Sequence, residues 1–232
     1  MVNPPRTKTG VPGLDEILFG GIPAGNLVVI SGDPGSGKTC LCLEYLYNGA
    51  VEYNEPGIYI SLEESADEII SFAELFDWDV KALIEKKMLA IITVELYDFD
   101  KLKTTIEDEV SRLGAKRLVI DPGVVFRLYF ERELDARKRI LSLGRMLKRI
   151  DCTAIITNEI SLDKASSLFG LEEYVADGVL LLYHTKLEDR FIRSVGILKM
   201  RGTKISEKLH PLRITNSGVK ILAKQELFED VK

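Results

Sequence analysis

Glutamine is nearly absent: Gln225 is its one occurrence in 232 residues, while Lys and Glu abound. That bias accompanies adaptation to high temperature, where amides are avoided and charged residues multiply. Histidine is almost as scarce, and His184 and His210 stand apart with no spacing that suggests a metal site. The cysteines, Cys40, Cys42 and Cys152, are odd in number, and on a helix the first two would not face each other. This excludes a disulfide framework and predicts small buried apolar side chains in a reducing compartment. No apolar run is as long as a membrane span, and Met1 to Gly10 lacks the apolar core of a signal peptide, so a cytoplasmic protein with no membrane partner is expected. Positive charge is in deficit too. With 31 Lys and Arg against 36 Asp and Glu, the net charge of −5 speaks against coating nucleic acid by bulk charge and leaves only a local basic groove open.

With 46% hydrophobic residues the chain can bury one sizeable core, and no repeat or low-complexity segment divides it, so residues 1–232 are read as a single α/β domain. Leu14, Ile17 and Leu18 predict a short helix before a first strand, Leu27 to Ile30. A helix from Thr39 follows, with Leu43, Leu46, Tyr47 and Ala50 on one buried face. Ile58 to Leu62, Leu89 to Val94, Arg117 to Ile120 and Thr153 to Thr157 are short apolar strands. Between them lie a helix opened by the capping box Ser65-Ala66-Asp67-Glu68, a helix from Asp100 to Leu113 and a long helix from Arg132 to Arg149. This alternation predicts a mainly parallel sheet with helices on both faces. Beyond Asp177 the rhythm changes, and Val179 to His184, Phe191 to Met200 and Leu212 to Leu222 predict an antiparallel C-terminal extension.

Between the first strand and its helix, Gly32-Asp33-Pro34-Gly35-Ser36-Gly37-Lys38-Thr39 matches GxxxxGK[ST] at every fixed position. Such a loop turns successive backbone N–H groups onto a polyphosphate, its Lys reaches the β- and γ-phosphates, and its hydroxyl residue ligates Mg²⁺. Asp33, Pro34, Gly35, Ser36, Gly37, Lys38, Thr39 and Cys40 are therefore the candidate nucleotide-binding residues, with the dipole of the helix behind them. By itself the loop suits a kinase, a GTPase or a motor.

Asp121, ending an apolar strand, stands where a second Mg²⁺ ligand beside Thr39 belongs, although Asp-Pro-Gly also reads simply as a turn. Glu63 and Glu64 follow the second strand and are candidates for the base that activates water; if the strand continued through them, one would point toward the phosphates and one away. Lys199 and Arg201 share one face of a late strand. Such a pair is either a solvated surface or a positive finger that a neighbouring subunit inserts to offset transition-state charge. Arg137, Lys138, Arg145, Lys148 and Arg149 make the long helix basic on its outer side, which reads as a solvated face rather than a nucleic-acid groove.

Together these residues resemble the RecA superfamily and, within it, the archaeal single-domain relatives of the clock ATPase KaiC. The resemblance is carried by Thr9 to Leu18, Gly20-Gly21-Ile22-Pro23, the phosphate loop, Glu55-Pro56-Gly57, Leu62-Glu63-Glu64, Phe76-Asp77-Trp78-Asp79 and Lys199-Met200-Arg201-Gly202-Thr203, spanning nearly the whole chain. It implies a RecA-like ATP-binding core with ATP and Mg²⁺ as ligands, in a homo-oligomer, commonly a hexamer in KaiC, whose sites lie between subunits. It further implies Glu63 and Glu64 as catalytic carboxylates, Asp121 as the Walker B acid, and Lys199 and Arg201 as trans-acting fingers. Thr157-Asn158-Glu159 fall loosely where such proteins sense the γ-phosphate. Two departures stand out: KaiC carries two such domains in tandem, and Pro122 occupies a place that the family often gives to a small hydroxyl residue. An Mg²⁺-dependent ATPase is thus expected. The competing readings are a nucleotide-gated regulatory module acting on an unknown protein partner, a recombinase-like single-stranded DNA binder using the basic helix and Asp163 to Gly170, and a Ser/Thr autokinase.

Overall fold

The structure, a computed structural model, describes residues 5–94, 99–123, 133–160, 173, 175–225 and 227. Its strands are β1 (Arg6–Thr7), β2 (Ile22–Pro23), β3 (Leu27–Gly32), β4 (Gly57–Ser61), β5 (Leu89–Thr93), β6 (Arg117–Asp121), β7 (Thr153–Glu159), β8 (Gly178–Leu187), β9 (Arg190–Met200), β10 (His210–Thr215) and β11 (Gly218–Ile221). Its helices are α1 (Leu14–Ile17), α2 (Lys38–Glu52), α3 (Ala66–Glu74), α4 (Val80–Glu85), α5 (Phe99–Leu113) and α6 (Glu133–Arg149). Nine strands form one sheet in the order β11-β10-β9-β8-β3-β7-β6-β4-β5, and β1 pairs with β2 in a small separate ribbon.

From β8 across to β5 every pairing is parallel. The apolar runs of β3, β4, β6 and β7 are buried almost throughout, as strands covered on both faces must be. One cover gathers α1, α2, α3 and α4 around Leu41, Leu46, Ile69 and Trp78. The other gathers α5 and α6 around Leu102, Ile106, Ile140, Leu143 and Leu147. Each fully buried Leu or Ile contributes roughly 2 kcal/mol relative to exposure. The capping box of α3 is formed, with the Ser65 N–H donating to Glu68 Oε2 at 2.8 Å and the Glu68 N–H to Ser65 Oγ at 3.3 Å.

Three sequence expectations change. The antiparallel extension begins one strand later: β8 runs parallel beside β3, and only β9, β10 and β11 are antiparallel. The single stretch expected from Leu212 to Leu222 is two strands, folded back at Asn216 and Ser217. Finally, α2 is buried around almost its whole circumference, Cys40 to Leu46 included, because the sheet lies on one side and the β10–β11 hairpin with α1 closes the other.

Arg117 at the start of β6 is fully buried, an unusual place for a guanidinium. Its Nε donates to Glu55 Oε2, Nη1 to the Tyr45 carbonyl and Nη2 to the Lys8 carbonyl, each at 2.7 Å. The rings of Tyr45 and Tyr53 lie 4.7 and 5.3 Å from its Cζ. Gly49 is required here, since a Cβ at that position would lie 2.4 Å from the guanidinium. One side chain thereby joins α2, β6 and the segments before α1 and β4.

Candidate active site

Parallel register brings the carboxyl ends of β3, β4, β6 and β7 to one edge of the sheet, where ligands of open α/β folds bind. The edge forms an open cleft of about 410 Å³, lined by Gly35, Gly37, Lys38, Thr39 and Cys40 from the loop and α2, by Glu63 and Glu64 after β4, and by Asp121 and Glu159. Gly35 and Gly37 adopt φ of 72° and 101°, left-handed values natural to glycine, and these turn the loop around the start of α2. The first N–H groups of a helix have no partner within it, and Lys38, Thr39 and Cys40, which carry them at the start of α2, line this cleft. Lys38 folds onto its own loop, donating to the carbonyls of Gly32 and Asp33 at 3.1 Å each, with Glu159 Oε1 3.7 Å away. Ser36 Oγ is buried and has no hydrogen-bond partner among the described residues.

Thr39 and Asp121, far apart in sequence, meet: the Thr39 hydroxyl donates to Asp121 Oδ2 at 2.9 Å. The Tyr59 hydroxyl donates to the same oxygen at 2.5 Å, and the Thr157 hydroxyl donates to Oδ1. Burial first, and then the Asp121 charge, pushes the Tyr59 hydroxyl well above its usual pKa, so it stays a proton donor. Among the described residues no cluster of three His, Cys, Asp or Glu could by itself hold a metal. A hydroxyl beside one carboxylate fits Mg²⁺, which keeps several waters and takes other ligands from phosphate oxygens. The cleft also accepts a polyphosphate, given its turned loop, the ammonium at its base and the orphaned Ser36 hydroxyl. Pro122 lines the cleft beside Asp121.

Glu63 and Glu64 lie beyond the end of β4, so strand alternation does not assign them; both are exposed and both line the cleft. Partial burial, followed by Asp121, Glu68 and Glu63, raises the Glu64 carboxyl above its ordinary pKa. Cys40 is buried, and burial pushes its thiol up to about 12, so any part it takes in binding anions belongs to its backbone N–H. Asp33 acts as scaffold, its carboxylate accepting from the His184 N–H at 3.1 Å and its carbonyl from Ser36 and Lys38. Pro34 and Gly35 are exposed at the tip, where the Pro34 carbonyl meets the His184 ring and the Gly35 carbonyl accepts from Arg193 Nε at 2.8 Å.

Lys199 and Arg201 are elsewhere. Lys199 pairs with Val179, which pairs with Val29, while Arg201 lies past the end of β9 rather than on it, its N–H donating to the Asp177 carbonyl. That is level with Leu27, five residues before Gly32 and so about 16 Å from the phosphate loop along the strand. The side chain of Arg201 is 62% exposed, with Nη1 3.5 Å from Asp177 Oδ1. Burial and then the Arg201 charge lower the Lys199 ammonium below its usual pKa. The basic residues of α6 are exposed as expected, and Lys148 and Arg149 are paired with Asp177 and Glu107. Asp163 to Gly170 lie outside the described residues.

Sequence reasoning overlooked Tyr59, His184, Arg193 and the buried Glu173, which accepts from Ser31 Oγ and Asn158 Nδ2. Tyr59 carried a signal: a hydroxyl inside a wholly buried strand needs a partner. His184 and Arg193 touch the loop only through sheet order, and Glu173 touches Ser31 and Asn158 rather than the loop. Among the described residues no helix is long and apolar enough to cross a membrane.

The profile of the family described as "ATPase: KaiC" matches residues 7–226. A UPF0273 protein of Methanocaldococcus jannaschii is 38% identical over 92% of this chain and 95% of that one. The crystal structure of a KaiC-like protein from Pyrococcus horikoshii is 35% identical and superposes with a TM-score of 0.84, covering 94% of this chain and 98% of that one. The circadian clock oscillator protein KaiC of Parathermosynechococcus lividus is 32% identical over 94% of this chain, which spans only 42% of that protein's length. On the strength of a match along nearly all of its length, the chain belongs to the family of KaiC-like ATPases with the RecA fold.

Proposed function

We propose that the protein is an Mg²⁺-dependent ATPase that works as a homo-oligomer, each active site completed by a neighbouring copy. The observation that carries this reading is the charge of the cleft: Glu63, Glu64, Asp121 and Glu159 line it, and Lys38 is the one cation among its described lining residues. A triphosphate brought into that company needs more positive charge than Lys38, the cation of the described lining, supplies. Thr39 and Asp121 would hold Mg²⁺, which when bound would offset part of the negative charge of the phosphates. Lys199 and Arg201, too far from their own loop, suit the cleft of the next copy as the remainder.

In this scheme Lys38 leaves its loop carbonyls for the phosphates, and the loop and α2 N–H groups orient the chain of phosphates for in-line attack. Glu64 takes the proton of the attacking water, with Glu63 beside it. Tyr59 and Thr157 hold Asp121 in place. A steady-state phosphate-release assay on the wild type and on Lys38→Ala, with mass measured alongside, tests the proposal. The variant should lose at least about a hundredfold in rate; equal rates, or a monomer with full activity, would overturn it. ATP binding without turnover would support the nucleotide-gated module instead.

A further inference from the structure

Asp177 stands immediately before β8, buried to 6% exposure at the end of the sheet opposite the phosphate loop. Its backbone is tied in both directions, its N–H donating to the Leu27 carbonyl and its carbonyl accepting from the Arg201 N–H, each at 2.8 Å. The carboxylate divides its two oxygens. Oδ2 accepts from the Leu27 N–H at 3.2 Å, fixing the group to the start of β3. Oδ1 accepts from Lys148 Nζ at 2.8 Å and lies 3.5 Å from Arg201 Nη1. The Asn26 amide donates to the Arg201 carbonyl at 3.3 Å, and Arg6 Nη2 to Thr203 Oγ1 at 2.6 Å, so the turn carrying Arg201 is held at both ends.

The arrangement orients Arg201 without consuming it. One guanidinium nitrogen lies 3.5 Å from the Asp177 carboxylate, and the side chain remains 62% exposed, so most of its donor capacity is left to solvent or a neighbour. A long exposed arginine would otherwise sample many rotamers, and fixing it beforehand removes an entropic cost from the transition state. We infer that Asp177 is a positioning residue that holds Arg201 ready for the phosphates of a neighbouring copy's nucleotide. The inference rests on the shared-site reading above.

Mixed oligomers separate the two. Co-expressing Lys38→Ala, with a defective loop and an intact finger pair, with Arg201→Ala, with an intact loop and a finger pair lacking its arginine, should restore hydrolysis well above that of either variant alone. Failure to restore it refutes the shared site, and the inference falls with it. Where it is restored, Asp177→Asn is added to one chain at a time. Asn keeps an acceptor for the Leu27 N–H and loses the charge. On the Lys38→Ala chain, the finger donor, it should cut the restored rate about tenfold, with KM for ATP unchanged. On the Arg201→Ala chain, where the arginine that Asp177 would position is already gone, it should cause no further loss. Equal losses in both placements would show a merely structural role, and no loss in either would show that Arg201 needs no orienting; both overturn the inference.

Discussion

Glu63 and Glu64 are neighbours with unequal surroundings. Desolvation and the nearby Asp121, Glu68 and Glu63 charges raise the Glu64 carboxyl, which makes its ionised form the stronger base. Glu64→Gln should therefore lower kcat about a thousandfold while nucleotide binding persists, and Glu63→Gln should cost much less. Phosphate release with a parallel nucleotide titration reads both, and a greater loss for Glu63→Gln would reverse the roles. At this scale the sequence was most legible where the chemistry is contiguous. The loop from Gly32 to Thr39 declares itself because backbone turns and phosphate contacts need fixed residues at fixed spacing. Asp121 was legible from its place at the end of an apolar strand. Tyr59, His184 and Arg193 reach the same cleft or loop only across neighbouring strands, and spacing along one chain does not encode such neighbours, while Glu159 was marked by the family resemblance alone.

Among elements, the contact of α2 with the β10–β11 hairpin turns on one buried acid. Glu44 lies inside the core, and its Oε2 accepts from the Val219 N–H at 2.5 Å. Burial is the larger effect and raises its pKa to about 7, with the Val219 and Asn48 hydrogen bonds opposing and Glu52 adding to the rise. The folded state thus holds a proton that the unfolded chain releases nearer pH 4.5. Stability is full below that value, falls as pH rises toward 7, and levels off above, a decline of about 3 kcal/mol. Glu44→Gln, neutral at every pH and still able to accept from Val219, should abolish the decline; thermal melts across pH 4 to 8 measure it, and an unchanged slope would remove Glu44 as its cause. Elements were legible where period decides them, as in α5, α6 and the apolar strands. Strand direction was not, because β8 looks the same in sequence whether parallel or antiparallel to β3, and the choice depends on the crossover that precedes it. The same limit hid the separation of Lys199 from Arg201, which strand alternation had put on one face and the end of β9 divides.

For the whole molecule, a ligand shared across a joint strengthens the joint. At a hundred times its dissociation constant, ATP would add about 2.7 kcal/mol to each contact it bridges. At protein concentrations where the ligand-free assembly partly dissociates, ATP with Mg²⁺ should raise the mass measured by light scattering, and Arg201→Ala should weaken that response; a mass indifferent to nucleotide would argue against bridging. Arg117 bears on a different property of the whole, its response to heat. Taking a charge out of water costs less as temperature rises, because hydration of ions carries unfavourable entropy, whereas the three hydrogen bonds and two aromatic faces around the guanidinium do not depend on that hydration. The net contribution of this buried cation therefore grows on warming. A fold that ties four segments to Arg117 is braced most where thermal motion strains it most, and its stability curve is lifted on the hot side.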